Sequence, residues 1–303
     1  MLLHFNAFGS LVLLLPSLLL CSSARSQETA PDSTQGWQTG GNVGATFSQV
    51  GLQNWSGGGQ NTITVSGMTS FFAKARWGES AWGNSFDAGY GLTKPGDAEF
   101  RKSDDKLIVV SNYGYRLADN LLWSALIDLR TQFTAGFNYD MFDSATGDYQ
   151  MISRFLAPGY ATLGVGVTWK PVDDLEVLVA PVSNRAIIVL DDSLSAQGAY
   201  GVDPGEKFRS QLGSLLNATI KREIAHNVEL GSRLKVFAPY EEFTQMVVNW
   251  ETLFIFKVND FINASLGLDL IYDPNVVNHR DDATVGPRLQ FRDVLGIGFV
   301  YKY

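Results

Sequence analysis

Apolar and polar residues alternate one by one along most of this chain, over stretches longer than an ordinary strand. From Leu121 to Phe137 one face reads Leu121, Trp123, Ala125, Ile127, Leu129, Thr131, Phe133, Ala135 and Phe137; the other reads Leu122, Ser124, Leu126, Asp128, Arg130, Gln132, Thr134 and Gly136. Tyr160 to Lys170 and Ile262 to Tyr272 repeat the pattern. A period of two places successive side chains on opposite faces of a strand. Strands of soluble sandwiches average about five or six residues, and these are about twice that, the length that crosses a bilayer at a tilt. Past the N-terminus the longest apolar runs, such as Ala186 to Leu190, fall far short of the roughly 20 residues of a spanning helix. If the chain enters a membrane, it enters as strands.

About twelve strands are expected, at roughly 41–50, 61–77, 81–92, 106–117, 121–137, 160–170, 175–190, 207–224, 228–237, 246–257, 262–272 and 289–303. Short turns near 78–80, 118–120, 171–174, 225–227 and 258–261 alternate with longer loops near 51–60, 93–105, 138–159, 191–206, 238–245 and 273–288. Short turns on one side and long loops on the other predict an all-β fold: a transmembrane antiparallel up-and-down barrel, with the long loops outside the cell. Trp77, Trp82, Tyr115, Trp123, Trp169, Phe256, Tyr301 and Tyr303 fall beside the short turns or the C-terminus. They share the apolar face, as an interfacial girdle in contact with outer-membrane lipid would. In the last strand Leu295, Ile297, Phe299, Tyr301 and Tyr303 alternate with Gly296, Gly298, Val300 and Lys302. That strand looks like the C-terminal assembly signal of bacterial outer-membrane barrels, so Phe299, Tyr301 and Tyr303 are expected to engage the barrel-assembly machinery.

The chain divides into a secretory signal peptide at 1–26, a polar segment at 27–36 and the barrel at 37–303. Leu11 to Leu15 and Leu18 to Leu20 form the apolar region of the signal, and Ser22, Ser23 and Ala24 supply small residues for cleavage. Leu20 precedes Cys21, where lipoprotein signals carry Gly, Ala or Ser, so acylation of Cys21 is not expected. Cys21 is the only cysteine, which excludes a disulfide framework. The formal net charge of −8 gives no basic field for nucleic acid.

By the same parity, the face opposite the aromatics collects Lys74, Arg76, Arg116, Arg130, Arg209, Lys221, Arg233, Lys235, Lys257 and Arg292 against Asp87, Asp128, Glu176, Glu229, Glu251 and Asp269. A lumen with this cationic excess favours anions if water fills it. If the charges pair across it, the same residues make a plug. Two functions follow: a narrow passive channel for small solutes with an anion bias, or a non-conducting structural or interaction barrel with working loops. Of the three histidines, only His279 lies in a long loop, beside Asp281 and Asp282. No opposed base and nucleophile accompany it, so no catalysis is expected. Asp273, Asp281 and Asp282 read as a solvated acidic loop rather than a cation site, and no metal or cofactor is expected.

Gly36-Trp37-Gln38-Thr39-Gly40-Gly41, followed by Phe47 to Asn61 with Asn54-Trp55-Ser56-Gly57-Gly58-Gly59 inside it, resembles a Bacteroidota outer-membrane barrel family labelled only as a domain of unknown function. Trp82-Gly83-Asn84 and Tyr90-Gly91 fit its next segment, and the resemblance is concentrated in residues 36 to 92. It carries Trp37, Asn54, Trp55, Gly58, Gly59 and Asn61 as motif residues. It implies a barrel in the outer membrane and no particular substrate. Independently of it, Trp55 in a glycine-rich loop reads as a ring packed over glycine backbone, with stacking on a sugar as the functional alternative.

Overall fold

Side-chain alternation lets a strand present one face to a core and the other to its surroundings, and here that property closes a sheet on itself. The computed structural model describes residues 36–53, 60–144, 147–259, 261–279 and 285–302. Its strands are β1 Gly36–Val50, β2 Thr62–Trp77, β3 Ser80–Pro95, β4 Arg101–Ala118, β5 Leu121–Thr131, β6 Gly136–Asp143, β7 Asp148–Ser153, β8 Gly159–Val172, β9 Leu175–Ile188, β10 Phe208–Ala225, β11 Val228–Pro239, β12 Val247–Lys257, β13 Ile262–Tyr272, β14 Val277–His279, β15 Val285–Pro287 and β16 Gln290–Lys302. Twelve of them form a closed antiparallel barrel in the order β1-β16-β13-β12-β11-β10-β9-β8-β5-β4-β3-β2. The remaining four make two hairpins, β6–β7 and β14–β15, that stand outside the ladder. No described helix is long and apolar enough to cross a membrane. The expected leader, with Cys21, and the polar segment as far as Gln35 lie outside the described residues, and Gly36, the last residue assigned to that segment, opens β1.

Register fixes which face is which. Arg292 of β16 stands opposite Asp269 of β13, Asp269 opposite Glu251 of β12, and Glu251 opposite Arg233 of β11. Because Glu251 also meets Arg130 of β5 from across the barrel, this is the inner face. Trp77, Trp82, Tyr115, Trp123, Trp169, Phe256 and Tyr301 all fall on the other face, at the short-turn end. Trp37 joins them: its ring lies 5.6 Å from both Trp77 and Trp82. Along β16 the same outer face carries Leu295, Ile297 and Phe299, all strongly exposed. Tyr303 lies outside the described residues.

The alternation predicts one strand from 121 through 137, but β5 stops at Thr131. Local hydrogen bonding overrides the pattern there. The Asp105 carboxylate accepts from the Phe133 amide at 2.7 Å and the Thr134 amide at 3.0 Å, and the Thr131 hydroxyl accepts from the Leu156 amide at 2.9 Å. The chain turns out of the ladder and starts the β6–β7 hairpin instead. Two other strands start earlier than expected, β1 at Gly36 and β4 at Arg101.

The long loops carry structure of their own. Between β9 and β10, α1 (Asp192–Ala196) and a 3-10 turn at Ala199–Gly201 pack Leu194 and Val202 onto Ala157, Ile187 and Val189, with Met151, Tyr160 and Tyr200 around them. Asp191 caps α1 by accepting from the Ser193 and Leu194 amides, each at 3.0 Å. It also takes the Ser193 hydroxyl at 2.7 Å and pairs with Arg154 at 3.0 Å. Those bonds, the Ser193 hydroxyl first, hold its carboxyl down at about 2. A depressed carboxylate stabilises the fold fully above its unfolded value of about 3.9 and loses that contribution as pH falls toward the folded value. Asp191→Ala is therefore expected to weaken this loop by about 1 kcal/mol at neutral pH. Proteolysis between Leu190 and Lys207 checks it: the variant should be cut faster than the wild type at pH 7, and the difference should shrink in strong acid.

Candidate functional site

The inside of the barrel is the candidate site, and its two sides differ. On the side formed by β5, β8, β9, β10 and β11, the inward positions Leu126, Leu178, Ala180, Leu215 and Phe237 pack with Val247 of β12 into a closed apolar cluster, joined by Val110. One bulge shapes it. β9 carries an extra residue around Pro181, which pushes its backbone inward opposite Gly166. A Cβ at Gly166 would sit 2.0 Å from the Val179 carbonyl oxygen, so only glycine fits there.

Beside this cluster the lumen is crossed by charge. Asp128 of β5 takes Lys235 of β11 at 3.1 Å and Arg130 at 3.0 Å, and Arg130 also reaches Glu251 of β12. Asp128 and Lys235 are 3% and 6% exposed. A second link joins Arg292 of β16 to Asp104 of β4 at 2.8 Å, while the same guanidinium holds Asp269 at 2.6 Å. A third joins Arg185 of β9 to Asp273, just past β13, at 2.5 Å, with the Tyr160 ring 4.9 Å from the guanidinium. Arg209 donates to the Gly201 carbonyl at 2.7 Å and to Asn275 at 3.0 Å, tying the β9–β10 loop to the segment after β13.

The other side, bounded by β16, β1, β2, β3 and β4, is lined by small inward positions. They include Gly40, Gly44, Gly83, Gly89, Gly91, Gly296 and Gly298. Ser70 donates to Asp87 at 2.6 Å. Inward-facing Met68 and Phe72 remain 46% and 40% exposed, whereas Leu215 and Phe237 opposite are 1% and 2% exposed. Water has room against one wall and none against the other. Lys74 runs past Gly83 with its ammonium 5.6 Å from the Phe72 ring, and Lys106 lies across Gly89. Among the described residues, neither lysine forms a salt bridge.

The register places all fifteen sequence-derived lumen positions on the inner face, but in distinct settings. Asp128, Arg130, Lys235, Glu251, Asp269 and Arg292 belong to the cross-lumen links, with Arg233 opposite Glu251. Lys257 pairs with Glu229 at 2.5 Å and Arg116 with Glu79 at 3.4 Å, both near the short turns. Arg76 and Lys221 also sit toward that end, opposite Gly36 and Gly231. Lys74 and Asp87 belong to the open wall, and Arg209 to the tie between the β9–β10 loop and Asn275. Asp104, Lys106, Arg185 and Asp273 face the lumen in addition. A bulge at Gly91/Leu92 shifts the register beside Asp104, and the Pro181 bulge flips parity before Arg185. Of the motif residues, Asn54, Trp55, Gly58 and Gly59 lie outside the described residues. Asn61 closes that loop, accepting from the Leu52 amide at 2.6 Å and, through its carbonyl, from Gly96 at 2.6 Å. Asp273 pairs with Arg185, and Asp281 and Asp282 lie outside the described residues. Among the described residues no metal-ligand cluster occurs.

The family model described as Protein of unknown function (DUF3078) matches residues 47–137, under a third of the chain. No curated protein matches the sequence. Among solved structures, the NanC porin is similar at 12% identity over 86% of this chain and 98% of its own, with a TM-score of 0.39. An outer membrane channel from Pseudomonas putida F1 is similar at 14% identity over 92% and 100%, TM-score 0.41. The translocator domain of autotransporter NalP from Neisseria meningitidis is similar at 10% identity over 88% and 87%, TM-score 0.34. Likeness at this level carries no argument about function.

Proposed function

We propose that this chain is a bacterial outer-membrane barrel that provides a narrow passive path for small solutes, with a bias toward anions, and that it performs no catalysis. The membrane reading rests on the outer face, which is apolar along its height and carries a ring of aromatic residues at the short-turn end. The path reading rests on one observation, the contrast between the packed wall around Leu215 and Phe237 and the open wall around Met68 and Phe72. Solute passes along the lobe bounded by β16, β1, β2, β3 and β4. In that lobe Arg292 lies between Asp104 and Asp269 at one edge, and along the wall the three cations Arg76, Lys74 and Lys106 outnumber Asp87. Lumen charges set selectivity at little cost to stability, so a lobe of this kind favours anions.

Reversal potentials across a potassium chloride gradient in planar bilayers test this. The wild type is expected to favour chloride, and Lys74→Glu with Lys106→Glu to favour potassium. Cation preference in the wild type would overturn the anion bias. Absence of current would overturn the channel itself and favour a second reading, a non-conducting barrel locked by its cross-lumen ion pairs. The specific support for that alternative is the pair of links from β5 to β11 and β12, together with the folded loop packed above them.

A further inference from the structure

The barrel is closed unevenly. β1 pairs with β2 along its full length, from Gly36 opposite Arg76 to Val50 opposite Thr62. With β16 it pairs only from Asn42 opposite Lys302 to Thr46 opposite Gly298. Continued upward, the same register would set Phe47 against Ile297, Ser48 against Gly296, Gln49 against Leu295 and Val50 against Val294. Among the described residues none of these pairs forms, although β1 runs to Val50 and β16 begins at Gln290. On its other side β16 stays paired with β13 from Gln290 to Phe299. The wall is thus unzipped along its upper part at this seam, while the other described junctions of the barrel carry longer ladders.

Such an edge is unexpected in hydrocarbon, where no water satisfies free backbone groups. Its position has chemical consequences. The rims are apolar on the outside, with Phe47 on β1 and Leu295 and Ile297 on β16, all strongly exposed. Behind the rims lies the open lobe with Lys74 and Lys106, and Arg292 crosses from β16 to Asp104 just inside the gap. Cations within and an apolar slit toward the bilayer match one class of solute, an amphipathic carboxylate with an alkyl tail. The head would follow the lobe while the tail leaves between the strands.

We infer that the upper β1–β16 seam is a lateral port through which amphipathic carboxylates pass between the lumen and the bilayer. The inference rests on the proposed water-filled lobe and names a substrate class for it. The port requires no energy input, because the tail moves from water to hydrocarbon.

The test uses the full-length protein carrying Cys21→Ser, refolded into liposomes, with Gln49→Cys and Leu295→Cys, both on the outer face, opposite each other across the gap. The strands are joined by oxidation, or by a short bis-maleimide where they stand beyond disulfide reach. Two signals are read: ion current, and delivery of an NBD-labelled dodecanoate from outside into the bilayer, taken as the rate in excess of that into protein-free liposomes. Joining the seam should abolish dodecanoate delivery and leave ion current unchanged, and reducing the disulfide should restore delivery. Delivery that persists through a joined seam, or a wild type that delivers none, would overturn the port and leave the channel standing. Should no form conduct ions while delivery still follows the state of the seam, the conducting lobe falls and the port stands. A second variant, Phe47→Gln with Ile297→Gln, makes the rims polar without a crosslink. It should slow delivery at unchanged current, and equal delivery would overturn the inference.

Discussion

Replacing Asp128 with alanine is expected to destabilise the barrel by about 3–5 kcal/mol, because it leaves buried Lys235 without its counter-ion. Lys235 is closed off by the apolar cluster around Phe237 and by Arg130 beside it, so water cannot take over the lost hydrogen bonds. Arg130 would keep Glu251 but lose its second carboxylate. Asp128→Asn should cost less, since the amide oxygen still accepts from both cations. Asp128→Ala with Lys235→Met should recover most of the loss, as it removes both charges and fills the space with an apolar chain. Guanidinium unfolding of the refolded protein in lipid, followed by tryptophan fluorescence, gives the three values. If Asp128→Ala alone unfolds like the wild type, the lumen around Lys235 is hydrated and the packed-wall description is wrong. The same result would move the solute path from the β1–β4 lobe toward the centre of the barrel.

Strand number, strand order and inner-face parity were legible in the sequence because each follows from a local rule. Alternation marks a strand and its faces, and short turns force neighbouring strands to pair. Three features broke those rules locally. An extra residue at Pro181 reverses parity midway along β9, so Arg185 reads as outward although it faces Asp273. Alternation continues past Thr131, yet a single carboxylate, Asp105, captures two amides and ends the strand there. Asp273 reads as a loop residue, and only the closed barrel brings it over Arg185. The charge pairs themselves were out of reach for a different reason. Parity says that a side chain faces the lumen, but which strand it meets across the lumen depends on tilt and shear, to which alternation is blind. The cationic excess counted along the sequence is therefore a poor measure of the field inside, because Arg292, Arg130 and Lys235 are neutralised by partners far away in the chain.

Deleting Phe299 to Tyr303 is expected to abolish the folded barrel, and the register shows why. Of the ladder that joins β1 to β16, four pairs involve Phe299, Val300, Tyr301 and Lys302, and only Thr46 opposite Gly298 would survive. Strand β13 would lose its partner at Ile262 as well. The barrel would be left open on both backbone edges, which hydrocarbon does not tolerate. Cells should show the truncated chain degraded or held in the periplasm, with nothing in the outer-membrane fraction. Refolding of the purified chain into detergent or lipid, where no assembly machinery is present, separates two causes. If the truncation also fails there, judged by loss of the heat-modifiable band on gels, closure of the seam is the reason. If it refolds there and fails only in cells, Phe299 and Tyr301 act as a recognition signal for the assembly machinery. Phe299→Ala with Tyr301→Ala keeps the backbone ladder while removing the rings, so it should refold in lipid and reveal recognition alone. Normal outer-membrane levels of the deletion would overturn both the closing strand and the assembly signal.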